Sequence, residues 1–222
     1  MTAGWVALIG RYHLLFFGIV RPGAVLVGLR AKPRPALVPI VENFSGALRG
    51  LLLNGAISGV AILLGGLRVP AGTSPQLTVP LTAAAAVALT SLGLWHWTSA
   101  RRRQAPFIRL FSPRSAVEFR RWVVLAIFVG VTEELTWRFA QVELLVNAFG
   151  SRPLAVALCT VTFGIGHLPQ GPWWGLGAAV CALVFHALTW ASGSIVPAMA
   201  VHAIVDIAAG VYFMRATSPA AT

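Results

Sequence analysis

Acidic side chains are scarce in this chain. Six Asp and Glu stand against seventeen Lys and Arg in 222 residues, and charged residues of both signs reach only 10%. A soluble domain carries about 25%, so a separate water-soluble module is not expected. Only two cysteines occur, Cys159 and Cys181. Both fall in apolar runs, which excludes a disulfide framework and makes them small buried hydrophobes. Internal repeats at solenoid or propeller periods are missing. The N-terminus shows no signal-peptide cleavage pattern. The helical His-Glu-x-x-His signature of zinc proteases is also lacking. What the chain does have is hydrophobicity: 57% apolar residues and a mean hydropathy of +0.79.

The expected fold is an all-α polytopic membrane protein, a bundle of six to seven transmembrane helices with a polar intramembrane site. The length suffices for that many segments of about 20 residues plus short loops. Apolar runs mark spans at 4–20, 50–67, 80–98, 122–146, 153–168, 174–191 and 195–214. The first is interrupted by Arg11 and His13, so either a span or an interfacial helix fits it. One membrane domain results: N-terminal helices and a basic link over 1–121, a core over 122–214 and a short tail over 215–222. The link at 99–121 carries seven arginines around Phe107-Ile-Arg-Leu-Phe111. It reads equally as a topology signal or as an amphipathic segment on anionic lipid. The basic charge sits in links between apolar runs, so membrane lipids, not nucleic acids, are its expected partners.

The acids fall where charge is most costly. Glu42 and Glu118 lie in links, whereas Glu133, Glu134, Glu143 and Asp206 lie in predicted spans. A carboxylate at bilayer depth costs about 2.5–3.5 kcal/mol even on lenient insertion scales, and such residues mark functional sites by default. At 1.5 Å per residue, Glu133 is about 18 Å from the cytoplasmic start of its helix, and His202 enters about 10 Å from the other face. In a core of about 30 Å they reach similar depth. His167, by the same count, falls nearer the cytoplasmic face. Glu133, His167, His202 and Asp206 are thereby candidates to converge. Glu134 and Arg138, at i,i+4, can neutralise each other on one face, while Glu133 points about 100° away. A carboxylate beside a histidine can take a proton from water, and a second histidine with a neighbouring acid can stabilise an oxyanion. That set describes amide hydrolysis without a nucleophilic side chain. The plainer role, a partner between helices, is expected for His96, His186 and Glu143. Trp95, Trp97, Trp173 and Trp174 read as interface anchors, and Gly55-x-x-x-Gly59 as a small-residue helix contact.

These residues also carry a resemblance. Glu133-Glu-Leu-Thr-Trp-Arg138 is similar to the EExxxR motif of the CPBP family of CAAX-prenyl proteases and bacteriocin-processing enzymes, also called the ABI family. Phe163-Gly-Ile-Gly-His167 resembles its FxxxH motif, and His202-Ala-Ile-Val-Asp206 its HxxxN/D motif. The three stand in family order within about 122–210. Trp137, in place of a Phe or Tyr, and Phe139, in place of a common Gly, depart from the pattern and bear on local packing.

The resemblance implies an intramembrane endopeptidase. Glu133 and His167 would activate water, His202 and Asp206 would stabilise the oxyanion, and Glu134, Arg138 and Phe163 would support. It implies a peptide or protein substrate, prenylated or otherwise membrane-associated, and no cofactor; the apolar runs imply a multi-pass protein of the cell membrane, and high Ala and Arg content a prokaryotic source. An alternative within the family makes Glu133, His167 and His202 ligands of zinc, a donor set of catalytic type. Another is a non-proteolytic bacteriocin-immunity or membrane scaffold protein. A proton relay or small transporter would also bury such groups, but the spacing of the three motifs argues against it.

Thirteen basic residues fall on one side of the predicted spans: Arg21, Arg30, Lys32, Arg34, Arg49, the seven of link 99–121 and Arg215. Only Arg68 and Arg152 fall on the other. The positive-inside rule places the thirteen in the cytoplasm. A cysteine at Thr73 should therefore react with an impermeant thiol reagent added outside, and one at Arg103 should not; the opposite labelling would invert the orientation.

Overall fold

In the computed structural model, residues 3–30, 42–67, 75–103, 108 and 112–217 are described, and every regular element among them is helical. Among the described residues nine α-helices follow one another: α1 (Ala3–Leu15), α2 (Arg21–Arg30), α3 (Phe44–Leu64), α4 (Pro75–Arg102), α5 (Ala116–Glu134), α6 (Gln141–Phe149), α7 (Arg152–His167), α8 (Pro172–Ser192) and α9 (Val196–Thr217). A π-helical turn at Phe16–Val20 joins α1 to α2, and another at Leu135–Ala140 joins α5 to α6. Among the described residues five stretches are long and apolar enough to cross a membrane: Gly10–Arg30, Phe44–Leu64, Leu77–Arg102, Pro172–Ser192 and Val196–Arg215. The chain is a polytopic helical membrane protein.

Three expectations about the spans change. The first apolar segment is not 4–20: α1, its π turn and α2 run on as one helix, and the apolar window is Gly10–Arg30. Arg21, expected in a cytoplasmic link, lies inside it. Proline in a helix clashes with the carbonyl four residues back. The widened turn just before Pro22, closed by the Arg21 N–H on the Phe16 carbonyl, gives it room. The run at 153–168 is the 16-residue α7. At 1.5 Å per residue it extends about 24 Å, short of a core of about 30 Å. The run at 122–146 becomes the rod α5–π–α6, whose charges set it apart from the five apolar spans. In the link at 99–121, residues 104–107 and 109–111 lie outside the described residues, as does the loop around Thr73.

Local signals fix the ends of the core helices. The Ser115 hydroxyl caps α5 by accepting the Glu118 N–H at 3.2 Å, and Glu118 Oε2 accepts the Arg114 N–H at 2.8 Å. This is close to a capping box. α6 ends at Gly150, whose φ of 69° is left-handed and suits glycine. At the next turn Arg152 holds Glu143 through two contacts of 2.7 and 3.2 Å. Glu143 is therefore an ion-pair partner at a helix end, not a deep polar group inside the bundle.

α9 packs most extensively on α5, and α8 on α7. Leu89, Phe185, Leu188, Ala198 and Val201 knit α4, α8 and α9 into one core. Large apolar side chains such as Leu63, Val87 and Trp190 face outward, as suits helices surrounded by lipid. The N-terminal half is tied in by a fully buried polar chain. His13 Nδ1 lies 2.8 Å from Gln141 Oε1, His13 Nε2 3.1 Å from Ser58 Oγ, and Ser58 Oγ 2.7 Å from Thr136 Oγ1. Of the glycine pair on α3, Gly55 does make a close contact, with Thr132 on α5, whereas Gly59 faces open space.

Gly130 sets the distance between α5 and α9. A Cβ there would stand 2.8 Å from the Met199 carbonyl oxygen and 3.1 Å from the Ala203 amide nitrogen. These are backbone atoms of α9 and cannot yield separately. Gly130→Leu should therefore cost about 1–3 kcal/mol by overpacking, read as a lower thermal midpoint in detergent. Gly59→Ala should leave the midpoint unchanged or raise it, since helical Gly is disfavoured by about 0.5–1 kcal/mol. Equal midpoints for Gly130→Leu and the parent protein would refute the close approach.

Candidate active site

Three helices supply the polar centre. Glu133 and Glu134 end α5, just before the π turn that carries Arg138. His167 ends α7, and His202 and Asp206 lie one turn apart on α9. The π turn, closed by the Gln141 N–H on the Thr136 carbonyl, inserts an extra residue beside the double glutamate. Such turns recur at functional sites.

Glu134 is fully buried and bridges two partners. Its Oε1 lies 2.7 Å from His202 Nδ1 and its Oε2 3.1 Å from Arg138 Nε. The arginine contact is an ion pair whose N–H is not aimed well enough to count as a hydrogen bond. Arg138 is equally buried, with its guanidinium 4.3 Å from the Phe163 ring centre and 5.1 Å from that of Phe185. Two aromatic faces thus supply the cation–π attraction. The negatively charged Glu134 accepts from the His202 Nδ1–H, which turns His202 Nε2 toward the other carboxylates. Nε2 stands 4.0 Å from Glu133 Oε2 and 3.7 Å from Asp206 Oδ2. Phe185 stacks on the imidazole at 5.1 Å and 19° and holds its plane.

His167 is fixed from its own helix. Its Nδ1 lies 2.8 Å from the Phe163 carbonyl oxygen. A carbonyl only accepts, so Nδ1 carries a proton, and in the neutral ring Nε2 keeps a lone pair. Phe163 also packs on the imidazole ring at 4.5 Å.

All four candidates named from sequence, Glu133, His167, His202 and Asp206, line one cavity of about 270 Å³. Most of its wall is apolar and comes from α4, α5, α8 and α9. A second cavity of about 140 Å³ shares Glu133, Phe163, His167 and Gln170 with it. Other assignments from sequence shift. The structure joins His202 directly to Glu134, a contact the sequence reading did not include. Trp97 is buried against Phe213, and Trp174 packs at a tilt against His96, with ring centres 4.7 Å apart, in the cavity wall. Trp97 is thus a core residue and not an interface anchor, whereas Trp95 and Trp173 are exposed and Trp174 is half-buried. His96 and Gln170 line the cavity too, and no spacing in the sequence marks them. Trp122 donates its indole N–H to the Asp206 carbonyl at 2.7 Å. Of the two departures from the family pattern, Trp137 walls the smaller cavity between Phe17 and Phe163, and Phe139 fills a core with Ile62 and Ile195.

Fold and site together define a helical membrane protein with ionisable side chains gathered among its apolar helices. Residues 115–208 match the family model of Rce1-like type II CAAX prenyl endopeptidases. The matched stretch holds all three motifs, and over it the chain is similar to CAAX-type proteases. No curated protein and no solved structure matches it.

The burial of Glu134 and Arg138 generates a stability prediction. Removing one partner of a buried ion pair costs about 3–5 kcal/mol, because the other charge is left uncompensated. Arg138→Ala should therefore lower the yield and thermal midpoint of folded protein sharply. A stable Arg138→Ala protein with only its activity lost would contradict a supporting role.

Proposed function

We propose that this protein is an intramembrane endopeptidase in which Glu133 and His167 activate a water molecule. The observation that carries the reading is the arrangement around Glu133. Its Oε2 is buried without a hydrogen-bond partner, 4.0 Å from His202 Nε2, and it borders the same cavity as His167. A separation beyond about 3.5 Å between polar atoms suits a bridging water. The lone pair on His167 Nε2 orients that water, and Glu133 accepts its proton. The water oxygen attacks the substrate carbonyl carbon, and the resulting oxyanion lies toward His202 and Asp206. With the His202 Nδ1–H on Glu134, an Nε2–H donor requires the imidazolium, whose charge the surrounding carboxylates compensate. Collapse breaks the C–N bond, and the proton held on Glu133 passes to the departing amine.

The apolar wall of the large cavity, with Leu89, Leu125, Trp174 and Phe185 among its residues, suits a substrate with a large apolar group. A lipidated, prenylated or simply apolar membrane-associated peptide fits that description. No cofactor is invoked. The zinc reading would use Glu133, His167 and His202. Of these, His202 has one ring nitrogen engaged by Glu134, and no three His, Cys, Asp or Glu side chains among the described residues gather closely enough to hold an ion.

The test is hydrolysis of a quenched-fluorescent prenylated peptide by purified protein in liposomes. Glu133→Gln should fold like the parent and lose at least about a hundredfold in rate, the contribution of a general base. Parent activity should survive 1,10-phenanthroline, with no stoichiometric zinc by elemental analysis. Full activity in Glu133→Gln would end the proposal. Activity removed by the chelator and restored by zinc would transfer the same residues to ligand roles.

A further inference from the structure

We propose that Arg21 binds a carboxylate of the substrate, on the side of Glu133 and His167 away from the apolar cavity; this rests on the endopeptidase reading. Arg21 sits inside the apolar run Gly10–Arg30. Arginine at that depth is rare and is normally paired or turned to a functional cavity. All six acidic residues of the chain lie among the described residues, and none forms an ion pair with it. Instead Arg21 lines the cavity of about 140 Å³, together with Glu133, Trp137, His167 and Gln170.

Its position is built. The guanidinium lies 5.9 Å from the centre of the Phe17 ring one turn back. Phe17 is fully buried and packs edge-on against Trp137 at 5.8 Å. The π turn at Phe16–Val20 directly precedes Arg21. Both cavities open on Glu133 and His167. A peptide whose scissile bond sits there would place its apolar portion in the larger space and its other end in the smaller one. The smaller space offers a planar cation with parallel N–H donors, which matches a carboxylate in shape and charge. That carboxylate can be the free C-terminus of the substrate or an acidic side chain near the cleaved bond.

The experiment compares three dodecanoylated alanine-valine peptides of equal length. One has a free C-terminal carboxylate, one a carboxamide, and one a carboxamide after a final glutamate. Dissociation constants are measured in detergent on the Glu133→Gln protein, where turnover is suppressed, and cleavage is followed separately with the parent protein. At least one carboxylate peptide should bind about ten- to a hundredfold tighter than the neutral one, the range for a charge-assisted hydrogen-bonded pair. Which of the two does so identifies the source. Adding Arg21→Gln should abolish the preference, and adding Arg21→Lys should keep part of it. The comparison of peptides with Arg21 intact needs no folded Arg21 variant. Equal binding of all three peptides, no binding of any, or a preference that survives Arg21→Gln would overturn the inference. Cleavage by the parent protein without carboxylate preference would sink the Arg21 role alone. Preference without cleavage would sink the endopeptidase reading and leave the carboxylate site standing.

Discussion

The burial of charge at Glu134 organises the centre of this molecule. A carboxylate and a guanidinium withdrawn from water lose far more hydration than either regains alone, so each must be met by fixed partners. Glu134 meets Arg138 along its own helix and His202 across the α5–α9 contact. Arg138 finds the faces of Phe163 and Phe185, from α7 and α8. Four segments therefore converge on one ion pair. Gly130, one turn earlier on α5, allows the backbone approach that brings His202 within 2.7 Å.

This arrangement separates the work of two adjacent glutamates. Successive helical residues point about 100° apart, so one of them can be consumed by structure while the other borders a cavity. Glu134 fixes the ring of His202, and through it the direction of Nε2. Glu133 keeps an oxygen free of hydrogen bonds at the junction of two cavities. His167 is held independently, by its own helix backbone. Both histidines thus enter the site with Nδ1 committed, His167 to a backbone carbonyl and His202 to a carboxylate. The difference lies in the partner: only the carboxylate of Glu134 can compensate a positive charge on its histidine, as an anion-facing donor requires.

The N-terminal helices take part as well. Polar groups inside an apolar bundle must find partners within the protein, and His13, Ser58, Thr136 and Gln141 are hydrogen-bonded to one another. Thr136 and Gln141 belong to the π turn and the helix after it. The same network that anchors α1 and α3 therefore touches the segment that positions Arg138. Arg21 reaches the smaller cavity from the continuation of that first helix.

Several features follow from the amino-acid sequence alone. Long apolar runs require helices because a backbone in lipid must satisfy its own hydrogen bonds. The scarcity of acids makes the few inside those runs conspicuous, and a fixed angle per residue pairs Glu134 with Arg138. The depth of each run brings Glu133 and His202 to a similar level, with Asp206 one turn from His202, while His167 counts nearer the cytoplasmic face. Sequence does not determine how one helix is rotated against the next. That rotation depends on π turns with no marker in the residue pattern, and on the backbone contact at Gly130. Hence only the tertiary structure decided that His202 binds Glu134, that Arg21 lies within a helix and faces a cavity, and that Trp174 and His96 line the site. It also decided that Glu143 pairs with Arg152 at a helix end. Periodicity sets angles within a helix, whereas packing between helices sets which residues meet.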